Sequence, residues 1–353
     1  MKNIFRLVIL FELLISLFVS NAYSSNLLEQ KMKEFQNQLN QIKPQLKGSI
    51  ISVSGKDYNF SYASTDTNNE SQFYIGSLGK QITAVILLKT LQEQYPEKDL
   101  EELLNKKLSE LFNNSKFLKE IDKSWVQDIT LLELLTHTSG LQDYLDFYQS
   151  EALNTPIDSI KILQTIGFNS LKTYTYSNSN YLLLGKLIEE MNNLTYEEVF
   201  DVMIKKPSNM ANSYAPNKGN YDIFKKDIRF KKLKVDLNDK HFVDFANVGG
   251  AGEGISTSED LLKWNYYLHK RLDPKLKNLV LTNYFFDEGD GVNLGLITVK
   301  TNIGKCVGFQ GGIDSYRSFL TMCQDQDLNI VILSNNNEDF ELLLGSFNNI
   351  FVE

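Results

Sequence analysis

The run Tyr74-Ile-Gly-Ser-Leu-Gly-Lys-Gln-Ile-Thr-Ala-Val-Ile-Leu-Leu-Lys-Thr-Leu-Gln92 decides how the rest of the chain is read. Beyond Gly79, the residues Ile82, Val85, Ile86, Leu87, Leu88 and Leu91 recur at helical spacing, which predicts a buried helix. Ser77 falls in the first turn of that helix, where backbone N–H groups have no partner four residues back. Lys80 follows three residues later and shares its face. A hydroxyl and an amine therefore stand side by side at the positive end of a helix.

That pairing carries chemistry. A serine hydroxyl attacks a carbonyl well only when a neighbour takes its proton, and a lysine can do so where burial or nearby charge favours its neutral form. An N–H at the helix entrance can also stabilise the oxyanion of an acyl-transfer intermediate. Ser-x-x-Lys alone is a weak signal, since a capping serine before a solvated lysine looks the same. Further segments are needed to decide between the two.

Composition narrows the classes. The chain has 353 residues, 42% of them hydrophobic, which is ample for a large core. A formal net charge of -8 argues against nucleic acid or an anionic membrane as the main partner. Only His137, His241 and His269 are present, scattered, so neither a metal site nor a cofactor is expected. Residues 1–22 read as a signal peptide: Lys2 and Arg6 precede an apolar run from Leu7 to Val19, broken only by Glu12, and Ser20-Asn21-Ala22 offers a small-residue cleavage site. The alternative is an uncleaved anchor. The reading predicts a periplasmic or secreted protein of residues 23–353 with no stable membrane span. Cys306 and Cys323 lie on two strand-like runs flanking Gly311-Gly312 and could face each other across a hairpin.

Along the chain, Asn26 to Ile42 is amphipathic at helical spacing. Ser49–Ser54 and Tyr58–Ala63 alternate around a Gly-Lys-Asp turn and read as a β-hairpin. From Gln81 to about Val235 the pattern is mainly helical, including Leu100–Phe112 and Leu131–Leu135, the latter opened by a Thr130/Glu133 capping box. His137, in Thr136-His137-Thr138-Ser139-Gly140, reads as a hydrogen-bonded turn histidine rather than a base. Tyr176-Ser177-Asn178 is a polar loop before a helix starting at Tyr181, placed much as Ser77 is. Residues 206–245, with Lys225, Lys226 and Arg229 interleaved with Asp222 and Asp227, read as a solvated loop. Gly249 to Gly254 reads as close backbone packing near a site, followed by a Ser256/Glu259 cap on a helix to Leu272. Strands are expected at Val292–Thr298, Lys305–Phe309, Tyr316–Cys323 and Leu328–Ser334, then a final helix from Glu338 to Val352. Strands at both ends imply a discontinuous α/β (α+β) part, 23–79 and 246–353, with a helical insertion over 80–245.

Taken together, Ser77-Leu78-Gly79-Lys80, Tyr176-Ser177-Asn178 and Gly308-Phe309-Gln310-Gly311-Gly312 stand in the order of the serine β-lactamase and penicillin-binding-protein superfamily. The chain resembles its class C β-lactamase and D-alanyl-D-alanine carboxypeptidase branch, in which the second motif is Tyr-x-Asn. Leu132 to Leu141, Tyr176 to Gly185 and Gly249 to Trp264 also look like the family. The resemblance covers roughly residues 45 to 335. It implies an antiparallel sheet flanked by helices, with Ser77 as nucleophile and Lys80 and Tyr176 moving its proton. It further implies substrate binding by Asn178, Phe309, Gln310, Gly311 and Gly312, with the N–H groups of Ser77 and Gly312 as oxyanion hole. The expected substrate is a small molecule or peptidoglycan-like.

One departure stands out. The family's third motif usually opens with Lys or His followed by Thr or Ser, which hold a substrate carboxylate, but here Phe309 and Gln310 fill those places. Arg317 and Lys305 are the neighbouring cations. The expectation is therefore a serine hydrolase of esters or amides. The alternative is a catalytically weak or inactive penicillin-binding-like protein of the same fold.

Overall fold

The computed structural model describes residues 26–148, 159–215, 249–252, 254–313 and 315–352. The expected signal segment lies outside them, as does most of the 206–245 loop.

Eight antiparallel strands form the central sheet in the order β2 (Asn59–Ala63), β1 (Ser49–Gly55), β10 (Leu328–Ser334), β9 (Tyr316–Cys323), β8 (Gly304–Ile313), β7 (Ile297–Thr301), β6 (Asp290–Val292) and β5 (Phe285–Asp287). In β10 the period of two assigns alternate residues to opposite layers. Ile330 and Ile332 pack with Met32, Phe35 and Leu39 of helix α1 (26–42) and with Phe347 and Phe351 of the C-terminal helix. Val331 and Leu333 enter the larger core on the other side. A strand buried on both faces is apolar throughout, which explains the unbroken run Ile330-Val331-Ile332-Leu333.

The larger core is built around helix α2 (Gly79–Gln94), buried nearly all round, with α4 (Asn178–Asn192) and α6 (Pro274–Leu281) packed against it. The short helix α3 (Leu131–Leu135) packs on α4, and α5 (Ser258–Tyr266) lies across β10 and β1. Helix α7 (Asn337–Phe351) covers the opposite sheet face. A two-stranded ribbon, β3 (Phe73–Tyr74) with β4 (Ile255–Ser256), ties the entrance of α2 to the glycine-rich segment at 249–254.

Several local expectations shift. The α-helix begins at Gly79, and Ser77 lies in a preceding 3₁₀ turn, Gly76–Leu78, rather than in the first α turn. The Leu100–Phe112 run splits into Leu100–Leu104 and Leu108–Leu111 around a turn at Asn105. Helix α4 starts at Asn178, three residues earlier than its apolar period suggests. The cap of α5 is Thr257, whose hydroxyl accepts the Asp260 N–H, not Ser256. Asn293 to Leu296 turn the chain within the expected Val292–Thr298 strand, giving β6 and β7. Strand β8 runs through the glycine pair to Ile313. The Thr130 capping box is present as expected, and Cys306 faces Cys323 in register, joined as a disulfide.

Candidate active site

Three segments far apart in sequence meet beside Ser77. Its Oγ lies 2.5 Å from the Tyr176 hydroxyl and accepts from Lys80 Nζ at 3.0 Å. The i, i+3 spacing brings the amine back over the preceding turn, because helical side chains lean toward the N-terminus. Lys80 is fully buried and donates also to Asn178 Oδ1 at 2.7 Å and to the Ala251 carbonyl. All three acceptors are neutral, and they match the three donors of an ammonium group. The rings of Tyr176 and Tyr181 lie 5.1 and 5.6 Å from Nζ.

Backbone contact sets much of the spacing around Ser77. A Cβ on Gly311 would stand 2.1 Å from the Ile75 carbonyl and 2.8 Å from the Ser77 nitrogen, so only glycine lets β8 close on the Ser77 turn. Gly252, with φ +130, approaches the same turn from the other side, where a Cβ would lie 2.3 Å from Gly76 O. Ser318, opposite Gly311 in the ladder, fixes the approach by donating to Ile75 O at 2.6 Å. Gly312 N is close to the same turn, 2.5 Å from where a Cβ on Gly76 would be. The glycine-rich 249–252 segment is thus backbone packing that presents the Ala251 carbonyl to Lys80.

Tyr176 is braced from behind by His137, whose ring stacks on it at 4.5 Å. His137 sits in the left-handed region at φ +57, its Nδ1 accepts the Ser177 N–H at 3.2 Å, and its carbonyl accepts the Thr175 N–H. Burial, assisted by the Lys80 charge, pushes its pKa down to about 3, so it is a neutral turn histidine. Asn178 is oriented by Asp143, whose Oδ2 accepts its amide N–H at 2.8 Å. Sequence reading missed Asp143, Ala251 and Ser318, because each acts through a single carboxylate, carbonyl or hydroxyl oxygen with no motif of its own.

The third segment differs from the others. Phe309 turns toward the site and stacks on Tyr176, centroids 6.3 Å apart, while the neighbouring Gln310 is exposed on the opposite face of β8. Lys305 is exposed and stands opposite Lys300 in the β7–β8 ladder. Arg317 lies across from Gly312, its Nη1 donating to Tyr316 O at 2.8 Å.

The Beta-lactamase family profile matches residues 49–345, most of the chain. The chain belongs to the Beta-lactamase family. Among relatives, "Penicillin-binding protein 4*" of Bacillus subtilis (strain 168) is 24% identical over 336 residues, covering 85% of this chain and 70% of that protein. A solved class C beta-lactamase superposes with a TM-score of 0.69 at 16% identity, over 91% of this chain and 95% of the other. A D-stereospecific amidohydrolase from Streptomyces sp. gives 0.68 at 19%, over 89% and 97%. These likenesses establish the family's fold, an antiparallel sheet flanked by helices. Among the described residues, no helix is long and apolar enough to cross a membrane.

Proposed function

We propose that this protein is a serine hydrolase that cleaves an ester or amide through an acyl-enzyme on Ser77. The observation that carries the reading is the placement of one hydroxyl oxygen 2.5 Å from a phenol and 3.0 Å from an amine. Either partner, when it has given up its own proton, takes that of Ser77 as Oγ bonds to the carbonyl carbon. The N–H groups of Ser77 and Gly312 hold the developing oxyanion. Tyr176 returns the proton to the leaving oxygen or nitrogen as the carbonyl bond to it breaks. Water then attacks the acyl carbon, the same groups taking its proton and passing it to Ser77 Oγ as the Oγ–acyl bond breaks and the carboxylic acid leaves. Asn178 spends one amide N–H on Asp143 and keeps the second for a substrate carbonyl.

The subclass is that of a β-lactamase, a D-Ala-D-Ala carboxypeptidase or an esterase. An aromatic ring cannot pair with a carboxylate, so Phe309 favours substrates without one beside the scissile bond. The same substitution supports the second reading, a weakly acylating penicillin-binding-like protein. The disulfide between Cys306 and Cys323 supports a periplasmic or secreted location, where thiols are oxidised.

The experiment compares the protein with Ser77→Ala on a short nitrophenyl ester, a chromogenic cephalosporin and a D-Ala-D-Ala peptide. Ester turnover is expected in the first and abolished in the second. Equal rates in both would remove Ser77 from the chemistry, and labelling of Ser77 by a fluorescent penicillin without turnover would favour the binding protein.

A further inference from the structure

Thr83 is fully buried one turn beyond Lys80, in a helix that is itself buried nearly all round. A hydroxyl in such a place costs stability unless it is hydrogen-bonded. Its Oγ1 lies 2.8 Å from Gly250 O, 3.2 Å from Gly79 O and 2.5 Å from the Tyr196 hydroxyl. One hydroxyl has one proton to give. Gly79 O, four residues back, is the ordinary acceptor for a threonine inside a helix, but Gly250 O is nearer. Tyr196 then donates to Oγ1, and the bonds run from Tyr196 through Thr83 to the Gly250 carbonyl.

The next carbonyl along, that of Ala251, accepts from Lys80. Residues three apart on one helix face therefore receive successive carbonyls of a single segment. That segment needs holding. Gly249, Gly250 and Gly252 carry no side chains, and glycine leaves the backbone more freedom than any other residue. A cavity of about 30 Å³, bordered by Gly79, Tyr196 and the same three glycines, gives it room to shift. The close approach of Gly252 to Gly76 fixes the far side of Ala251. Gly250 O belongs to the peptide plane that ends at Ala251 N, so the Thr83 hydroxyl fixes the near side.

We infer that Thr83, backed by Tyr196, is a positioning residue: its hydroxyl clamps the Gly250 carbonyl so that the Ala251 carbonyl stays aimed at the Lys80 amine. The inference rests on the hydrolase reading above, but one of its two readouts needs no turnover. Thr83→Val keeps the shape and removes the hydroxyl, and Thr83→Ser keeps the hydroxyl. Thr90→Val makes the same change about two turns further along α2, at a buried threonine whose partners are Asn192 and Met203. Ester kcat is expected to fall about tenfold in Thr83→Val, within the range of lost positioning, with KM changed by less than about twofold. Thr83→Ser should recover most of the loss, and Thr90→Val should show none. Tyr196→Phe, which removes the proton donated to Oγ1 but leaves Thr83 its own, should lower kcat less than Thr83→Val does. In NMR of protein carrying isotope-labelled lysine, at a fixed pH, the Lys80 Nζ–H signals are assigned by their loss in Lys80→Arg. They should exchange with solvent at least about tenfold faster in Thr83→Val than in Thr83→Ser or Thr90→Val. Equal kcat, or equal Nζ–H exchange, in Thr83→Val and Thr90→Val would overturn the clamp. Absence of ester turnover in the unchanged protein, alongside faster exchange confined to Thr83→Val, would instead count against the hydrolase reading and leave the clamp standing.

Discussion

Asn178 uses both ends of its amide: the oxygen accepts from Lys80 and a nitrogen proton goes to Asp143. Without the carboxylate the amide is free to flip and turn its NH₂ toward the Lys80 amine, two donors facing each other. Asp143→Ala is therefore expected to lower ester kcat by about one to two orders of magnitude, the range typical of lost positioning, with KM little changed. Asp143→Asn, whose carbonyl oxygen can still accept, should recover part of it, and equal kcat in all three proteins would refute the role. His137 makes a comparable case for stability. His137→Phe keeps a ring against Tyr176 but removes the acceptor of the buried Ser177 N–H, an expected loss of about 1–3 kcal/mol. Urea unfolding of the two proteins measures it. At this scale the closeness of Ser77 and Lys80 is legible in the sequence, because three-residue spacing across a helix entrance brings them together. Asp143 and Ala251 are invisible to it, since their roles depend on how separate loops meet.

Among elements, the contact between β8 and the Ser77 turn carries the most consequence. Gly311→Ala would drive a methyl into the Ile75 carbonyl and against Ser77 N, and backbone on both sides cannot yield as a flexible side chain can. Expression with ester activity reduced at least about 100-fold, the cost typical of losing an oxyanion donor, or failure to fold cooperatively, is the expected result. Activity and melting temperature near those of the original protein would show that the approach is looser than described. Element types were legible where one signal dominates: the β1–β2 hairpin and α7 follow from apolar spacing, and α2 and β10 from apolar runs of helix and strand length bounded by turn residues. Boundaries were not, for identifiable reasons. Asn178, Ser179 and Asn180 look like loop residues yet form the first turn of α4, where their side chains serve the site and the loops packed on it. The turn at Asn293 is hidden inside an apolar run because Leu294 and Leu296 are themselves buried in it. The short edge strand β5 carries Phe285, which meets Tyr174 edge-on at 5.6 Å, a contact that local pattern does not announce.

For the whole molecule, closing distant segments around buried polar groups has a pH consequence. His137 and His269 are buried and held neutral, burial pushing their pKa values down to about 3 and about 4. In the unfolded chain each titrates near 6.5. The unfolded state therefore binds more protons between those limits, and the stability these groups contribute is whole above pH 6.5 and is lost as pH falls below it. Glu197 acts in the opposite sense: burial raises its carboxyl to about 7, so the folded state binds the extra proton between pH 4.5 and 7. Being partly solvated it offsets less than a full histidine. The net loss is small near pH 6.5, where the unfolded rings are only half charged, and approaches about one proton equivalent, about 1.4 kcal/mol per pH unit, between pH 5.5 and 4.5. Urea midpoints at pH 7.5, 6.5, 5.5 and 4.5 read it directly. His269→Gln, which keeps a polar group near Gln324 without a titrating ring, should flatten the profile, and Glu197→Gln should steepen it. A stability that stays level or rises on acidification would show that these rings are charged in the fold, and with them that the bracing of Tyr176 by a neutral His137 is wrong.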